Sequence, residues 1–170
     1  MNILIVDGYN IIGAWPELRR LKEEGDLAAA RDLLIEKMAD YKGFTGDHVV
    51  IVFDAHLVQG NEKKYKHYDV DVIFTKEHET ADERIERLTK TLMNARTKVY
   101  VATSDYTEQW TVFGQGALRK SARELLDEVE TVERDISQKV KAMRQRTPTS
   151  KVPLNDRIAE IFEKWRRGEK

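Results

Sequence analysis

The chain has 170 residues, of which 35% are charged and 41% hydrophobic, with a formal net charge of -1 and no cysteine. This length suits one domain that buries most of its apolar surface without disulfides or thiolate metal sites. No apolar stretch approaches the length of a membrane span, and the short run Ile3 to Val6 leads at once into Asp7, so we expect no signal peptide. A cytoplasmic protein that does not associate with membranes is therefore predicted.

Charge is distributed unevenly along the chain. From Ile136 to the end, ten Lys and Arg stand against four Asp and Glu, a net of +6 that leaves -7 for residues 1–135. This division is typical of an acidic body with a basic flank that meets a polyanion, and also of a solvated basic helix surface, which is the commoner case. Both interpretations stay open on charge alone.

Four short apolar runs predict buried strands. Because they lack strict alternation with polar residues, both faces of the sheet should be covered, as in a parallel sheet. The runs are Ile3 to Val6, Val49 to Phe53, Val70 to Phe74 and Val99 to Ala102.

Amphipathic helices separate these runs. The first spans Asp26 to Tyr41 and is predicted to end at Gly43, and the second spans Thr80 to Asn94. Strands that alternate with helices predict an α/β fold with right-handed crossovers and a central, mainly parallel sheet. Their apolar stripes are Leu27, Ala30, Leu34, Met38 and Tyr41 in the first helix, and Ile85, Leu88, Leu92 and Ala95 in the second.

The segment from Ala55 to Asp69 is too polar to predict a crossover helix. Its basic groups and aromatic rings match what single-stranded RNA needs, and a solvated surface loop would look the same. These side chains are Lys63, Lys64, Lys66 and His67, interleaved with Tyr65 and Tyr68.

An apolar stripe from Leu118 to Met143 predicts one long helix or two helices in tandem, because Ser121 and Glu124 match an internal capping box. Thr147, Pro148 and Pro153 interrupt the pattern. A last helix from Leu154 to Trp165 follows, and we expect it to dock on the body. The predicted domains are therefore 1–146 and a C-terminal helix within 147–170 that packs on or flanks the same domain.

Four aspartates fall where an α/β fold gathers residues at one edge of its sheet. Residues just past the carboxyl ends of parallel strands meet in one crevice, where such folds bind ligands. Carboxylates crowded there raise one another's pKa values unless a cation neutralises them, and hard oxygen ligands suit Mg²⁺ or Mn²⁺. The residues are Asp7, Asp54 and Asp105, each after a predicted strand, and Asp82 at the start of a predicted helix.

Each aspartate also has a simple structural interpretation. Asp82 lies in a capping box formed by Thr80 and Glu83, and Asp105 can pair with Glu108 as a helix cap. Asp54 can begin a loop, and Asp7 can make an ordinary turn. Their joint occurrence at one topological edge favours a metal site, because independent capping does not need an acid at every position.

The most informative stretch is Asp7-Gly8-Tyr9-Asn10. Gly8 permits a tight turn out of the strand, and the Asn10 amide can return to hold a carboxylate or phosphate oxygen. Together with Asp54-Ala55, Thr80-Ala81-Asp82 and Thr103-Ser104-Asp105, it resembles the YacP-type branch of the NYN domains, which belong to the PIN-like nucleases. The similarity covers nearly the whole chain, including Gly116 to Arg119 and Ser121 to Leu125.

The resemblance implies a PIN-like three-layer α/β/α fold with a helical C-terminal extension, and metal-dependent endoribonuclease activity with Mg²⁺ or Mn²⁺. It also implies a bacterial cytoplasmic setting, mRNA as the RNA and the ribosome as a partner. Metal-activated water would attack in line and leave 5′-phosphate and 3′-hydroxyl ends.

By position, the resemblance implies that Asp7 and Asp82 are central metal ligands and that Asp105 is a third acid. Asn10 would be the orienting amide, and Asp54 is a further candidate ligand. Basic side chains would supply affinity for RNA phosphates. The candidates are Lys63, Lys64 and Lys66 before the third strand, and Arg119, Lys120 and Arg123 further along.

Other protein classes match these residues less well. A phosphorelay receiver pairs two acids after its first strand, whereas Asp7 has no acidic neighbour. A haloacid-dehalogenase phosphatase needs a second aspartate where Tyr9 stands. A non-catalytic RNA-binding or adaptor domain on the same fold is the serious alternative to an endoribonuclease.

Overall fold

The computed structural model describes residues 1–55, 64–67, 69–146 and 156–168, with the backbone alone for 64–67, 156–159 and 162. These residues form a mixed α/β structure built on a six-stranded sheet. The strands are β1 (Asn2–Asp7), β2 (His48–Phe53), β3 (Lys64–His67), β4 (Val70–Phe74), β5 (Lys98–Ala102) and β6 (Leu118–Lys120). The helices are α1 (Gly8–Ala14), α2 (Pro16–Glu23), α3 (Leu27–Thr45), α4 (Ala81–Leu92), α5 (Tyr106–Gly114), α6 (Ala122–Arg146) and α7 (Asp156–Arg166).

The sheet is parallel except at one edge. Its order is β3-β4-β2-β1-β5-β6, and of the described strands β3 alone runs antiparallel, paired with β4. The four predicted strands are confirmed as β1, β2, β4 and β5. Strands β3 and β6 escape sequence prediction because they are short, mostly polar edge strands. The segment predicted as a loop between Ala55 and Asp69 therefore contains a strand.

Helices cover both faces of the sheet, which is why its central strands are apolar throughout. In β1 and β2, every residue after the first is buried. On one face, Ile3, Val50 and Val99 pack with Ile85 of α4 and Val112 of α5. Alternate side chains point the other way, towards α1 and α3, which both contact β2. The predicted three-layer arrangement is confirmed.

Helix α3 runs further than its sequence pattern predicts. Asp26 caps its start, with Oδ1 accepting the N–H of Ala29 at 3.0 Å. The predicted end at Gly43 is wrong, because the helix continues to Thr45 and stops at Gly46, whose φ is 76°. Helices commonly end at a glycine in this left-handed conformation, and a single interior glycine such as Gly43 is tolerated at modest cost.

The capping box predicted at the start of α4 is confirmed. Thr80 Oγ1 accepts the N–H of Glu83 at 3.2 Å, and Glu83 Oε2 accepts the N–H of Thr80 at 3.3 Å. The helix ends at Leu92, earlier than the predicted Asn94. These reciprocal bonds orient the first turn, which contains Asp82.

Helix α6 is one continuous helix that begins after the start of the apolar stripe. The predicted helical start at Leu118 is wrong, because Leu118–Lys120 pairs with β5 as strand β6. Ser121 Oγ accepts the N–H of Glu124 at 3.1 Å. The Ser121 and Glu124 pair therefore marks the beginning of the helix instead of an internal break.

The chain separates into two compact units, residues 1–133 and 134–170. The predicted division into 1–146 and 147–170 stays a prediction, as does the docking of the last helix on the body. Thr147, Pro148 and Pro153 lie outside the described residues, as do the side chains of Ile158 and Phe162. Within the described ranges, no helix is long and apolar enough to cross a lipid bilayer.

Candidate metal centre

Acidic side chains from three elements converge at the carboxyl edge of the sheet. Asp7 is the last residue of β1, and the chain passes from it directly into α1. Asp82 lies in the first turn of α4, and Glu108 lies in the first turn of α5. Because α5 follows β5 and β5 is the neighbour of β1, the topology brings Glu108 back to Asp7.

These carboxylates form a compact group, which we call the acid cluster: Asp7, Asp82 and Glu108. One oxygen from each lies within 4.8 Å of those from the other two. Asp7 and Glu108 are 7% and 3% exposed, whereas Asp82 is exposed to solvent. The cluster thus has a buried floor and one side that a ligand can approach.

Burial and mutual repulsion shift the ionisation of the two buried acids. Burial raises the pKa of Glu108, and the charges of Asp7 and Asp82 raise it further. Burial also raises the pKa of Asp7, although hydrogen bonding with Glu108 and with the Thr103 hydroxyl, 3.4 Å away, opposes that rise. Like charges this close disfavour double ionisation. Near neutral pH, the metal-free protein therefore keeps a proton on this pair.

The acid cluster fits a divalent cation because, among the described residues, no N–H or hydroxyl group donates to the carboxylate of Glu108. Both carboxylate oxygens of Glu108 are buried, and neither meets a donor among the described residues. Buried polar atoms are normally satisfied, so a cation is a natural partner for these oxygens. Carboxylate oxygens suit Mg²⁺ or Mn²⁺, which also keep coordination positions for water and substrate phosphate. The cluster can therefore hold a metal ion.

Glu108 is the member of the acid cluster that sequence analysis misses. The sequence presents it as the capping partner of Asp105, whereas its carboxylate faces Asp7 and Asp82. The signal that could have found it is positional. It is an acid in the first turn of a helix that directly follows a strand, and such residues face the carboxyl edge of the sheet.

Asp105 lies next to this cluster and caps α5. Its Oδ1 accepts the N–H of Thr107 at 2.9 Å and the N–H of Glu108 at 3.3 Å. Asp105 is thus the capping residue of the pair, and it orients the turn that carries Glu108. The predicted role of Asp105 as a metal ligand stays a prediction. So does that of Asp54, which follows β2 and is not part of the acid cluster.

Asn10 ties α1 to the loop that follows β5. Its Oδ1 accepts the backbone N–H of Ser104 at 2.6 Å and the Ser104 hydroxyl at 2.8 Å. Through these bonds, the turn after Asp7 and the turn before α5 are held together. Asn10 therefore positions the elements that carry two of the three acids, and its predicted catalytic role stays a prediction.

Gly8 permits close packing at the site. A Cβ on Gly8 would lie 2.3 Å from Cε1 of Phe53, closer than real side chains approach. The Phe53 ring also packs against Tyr9, with centroids 5.0 Å apart. Gly8 does not have a positive φ, so this contact, not an unusual turn conformation, explains the absence of a side chain.

The predicted RNA-binding residues lie in different environments. Lys63 lies outside the described residues, and Lys64 and Lys66 belong to β3, where the side chains are not described. Arg119 and Arg123 are exposed. Lys120 is half-buried; its Nζ lies 2.8 Å from Glu128 Oε2 and 5.1 Å from the Tyr100 ring centroid. RNA binding by all six residues stays a prediction, and for Lys120 these contacts supply a structural role.

The family described as the YacP-like NYN domain matches residues 4–167 of the chain. The chain belongs to this family. NYN domains are nuclease-type domains, so the acid cluster lies at the sheet edge of a nuclease-type fold. The resemblance inferred from the motifs around Asp7, Asp82 and Asp105 is thereby confirmed.

Individual relatives of this NYN domain match over almost its whole length. Uncharacterized protein YacP of Bacillus subtilis (strain 168) is 59% identical over 169 residues, which cover 99% of both sequences. The crystal structure of Rae1 (YacP) from Bacillus subtilis matches with a TM-score of 0.78 and 60% identity, covering 99% of this chain and 96% of that chain. The crystal structure of a tryptophan-to-leucine mutant of Rae1 (YacP) from Bacillus subtilis matches with a TM-score of 0.76 and 55% identity, and it likewise covers 99% of this chain and 96% of that chain. The NYN/PIN-like fold is therefore confirmed.

Proposed function

We propose that this NYN domain is a metal-dependent endoribonuclease that hydrolyses phosphodiester bonds in RNA. The observation that carries the proposal is the acid cluster, in which two buried oxygens of Glu108 have no donor among the described residues. Membership of a nuclease-type family supports it. The predicted cofactors are Mg²⁺ or Mn²⁺, because the ligands are carboxylate oxygens.

When bound, Mg²⁺ or Mn²⁺ would polarise the scissile phosphoryl group and lower the pKa of a coordinated water. Asp7 and Glu108 would hold the ion from the buried side, after losing the proton that they retain in the metal-free protein. Asp82 would contribute from the exposed side, where substrate enters. The Thr103 hydroxyl, 3.4 Å from Asp7 Oδ2, would orient the Asp7 carboxylate.

The proposal extends to mRNA as the RNA, the ribosome as a partner and the bacterial cytoplasm as the setting. Its support is the motif resemblance and the basic segment from Ile136 onwards, with ten Lys and Arg against four Asp and Glu. Sedimentation with ribosomes tests the partner. The protein should pellet with them at low salt and be released as salt rises, because phosphate contacts are salt-dependent.

Cleavage of end-labelled RNA tests the catalytic proposal. The wild type should cut internally with Mn²⁺ or Mg²⁺, leave 5′-phosphate and 3′-hydroxyl ends, and stop in chelator. Changes to residues that only support metal ligands typically slow activity by roughly 10- to 100-fold. Cleavage should slow by more than this in each of three variants: Asp7→Asn, Asp82→Asn and Glu108→Gln. The matched control is Asp32→Asn, an exposed acid of α3, which should cut as the wild type does.

Circular dichroism should be unchanged in these variants, because each replacement preserves side-chain shape. Near-normal turnover in the three variants would refute the assignment of the acid cluster. A wild type that binds RNA and leaves it intact with either metal would support the non-catalytic adaptor instead.

A further inference from the structure

Helix α5 carries large aromatic side chains on its solvent-facing side. Tyr106, Trp110 and Phe113 are 67%, 57% and 53% exposed. The ring centroids of Tyr106 and Trp110 lie 6.3 Å apart, and those of Trp110 and Phe113 lie 6.4 Å apart, both edge to face. We call these three side chains the aromatic ridge. Contiguous exposed apolar surface of this kind marks a binding surface in a soluble protein.

The ridge belongs to an uncharged helix face in a highly charged protein. Charged residues make up 35% of the chain, whereas Tyr106–Gly114 contains a single one, Glu108, which faces the acid cluster. The outer face of α5 therefore offers aromatic surface without charged groups among the rings. Such a face suits a planar, apolar partner group.

The ridge and the candidate metal centre share one helix. Tyr106 directly follows Asp105, the cap of α5, and Glu108 of the same helix contributes a carboxylate to the acid cluster. At 1.5 Å per residue, Phe113 lies about 10 Å further along the helix axis than Tyr106. The ridge thus begins in the helical turn that carries Glu108 and runs towards the other end of α5.

A groove beside the ridge is lined by one arginine and one aspartate. It encloses about 640 Å³, and Ser104, Tyr106, Arg123 and Asp127 are among its lining residues. Ser104 is the residue that Asn10 holds at the metal centre. The groove therefore places the exposed guanidinium group of Arg123 on the same lining as Tyr106, the first ring of the ridge, and Ser104.

A second exposed arginine lies on the same side of the sheet as α5. Arg119 of β6 is aligned with Val101 of β5, and Val101 packs with Val112 of α5. Aligned residues of neighbouring strands point to the same face, so Arg119 lies on the α5 side. Arg119 and the aromatic ridge thus lie on the same side of the sheet, and Arg123 lines the groove beside Tyr106.

We propose that the aromatic ridge is a stacking platform for unpaired bases of the RNA strand whose phosphate lies at the metal centre. The inference rests on the proposed function, which places an RNA strand there. Single-stranded RNA supplies both groups that this surface suits, because its bases stack on aromatic rings and its phosphates pair with arginine. Stacking tolerates any base, so the ridge adds affinity without sequence preference.

Binding measured in chelator tests the ridge without cleavage. Fluorescence anisotropy with a short single-stranded RNA should show about tenfold weaker binding for Trp110→Ala, and a smaller loss for Trp110→Phe, which keeps a stacking ring. Tyr106→Ala is the second ridge variant and should also weaken binding. The matched control is Phe44→Ala. The Phe44 side chain is 43% exposed and lies near the end of α3, just before β2. It is therefore at the opposite end of the strands from the acid cluster.

An abasic RNA of the same length separates stacking from a structural effect. It retains the phosphates and lacks the bases, so the wild type and Trp110→Ala should bind it equally. The dependence of log Kd on log salt should be the same for both proteins, because no phosphate contact is removed. A double-mutant comparison of this kind isolates the contact between ring and base.

Three results would overturn the proposal: equal affinity of wild type and both ridge variants for normal RNA, an equal loss on abasic RNA, or no binding by the wild type. The first of these would show that the ridge does not contact the RNA. Failure of the proposed function can be distinguished from failure of the stacking platform. An inactive wild type whose RNA binding still depends on Trp110 would refute catalysis and leave the stacking platform intact.

Discussion

Asp7 and Glu108 form a buried pair of acids whose carboxylate oxygens lie within 4.8 Å of each other. One comes from the end of β1 and the other from the first turn of α5. Burial raises the pKa of both, so the pair retains a proton in the metal-free protein. Metal binding at this pair is therefore an exchange of a proton for a cation.

Replacing Glu108 with Gln should remove the response to metal and leave the fold intact. In chelator at neutral pH, the thermal midpoint should change little, because the variant resembles the protonated wild-type side chain. The rise in thermal midpoint with millimolar Mn²⁺ should be lost in the variant. In the wild type, the free energy of unfolding should increase by about 2.7 kcal/mol when the Mn²⁺ concentration is a hundred times its Kd. Thermal denaturation measures both, with Glu77→Gln, an exposed acid, as the control. A variant that still responds fully to Mn²⁺ would contradict the role of Glu108.

The stability of the metal-free protein should fall as pH rises from about 4 towards neutral. The raised pKa values mean that the folded protein binds more protons than the unfolded chain in this window. Stability from these groups is complete below the ordinary carboxyl pKa and is lost as the pH passes through the folded-state pKa.

Urea denaturation in chelator at pH 5 and pH 8 measures this effect. Asp7→Asn should lose less stability between the two pH values than the wild type, because one of the coupled acids is gone. Millimolar Mg²⁺ should also reduce the wild-type loss. Identical pH dependence in wild type and Asp7→Asn would show that the pair does not ionise as proposed.

Asn10→Ala should loosen the connection between α1 and the loop before α5. Both bonds from Ser104, at 2.6 and 2.8 Å, would be lost, which should destabilise the protein by about 1–3 kcal/mol. Urea denaturation measures this change. Ser104→Ala removes the hydroxyl bond alone and should have a smaller effect. Cleavage should slow while the metal-induced rise in thermal midpoint persists, because Asn10 is not a member of the acid cluster. Loss of that rise would mean that Asn10 is needed for metal binding itself.

Gly8→Ala should destabilise the protein by about 1–3 kcal/mol or more, because the added methyl group overlaps the Phe53 ring. Gly13→Ala, in the same helix, is the matched control. A Cβ at Gly13 meets nothing within 4 Å, so this change should be neutral or stabilising by up to about 1 kcal/mol. Phe53→Leu should partly restore the stability of the Gly8→Ala protein in the double variant, because the effects of substitutions at contacting residues on the free energy of unfolding are not additive. Equal melting of both alanine variants would rule out the steric explanation.

Several features follow from the sequence because they depend on neighbouring residues. The apolar runs of β1 and β2 predict buried strands, since a strand covered on both faces has no reason to alternate. The box formed by Thr80 and Glu83 predicts the start of α4, since its bonds are local. Asp7 and Asp82 are predicted to meet because parallel topology brings strand ends and helix starts to one edge.

Other features were decided by contacts between residues far apart in the chain. Glu108 joins the acid cluster because α5 returns it to Asp7, whereas locally it looks like a cap partner of Asp105. Leu118 continues an apolar helical stripe, yet it lies in β6 because β5 has a free edge to pair with. Local patterns determine where elements begin and what they can bury. Tertiary packing determines which side chains share a site, since burial, strand pairing and electrostatic coupling arise between elements.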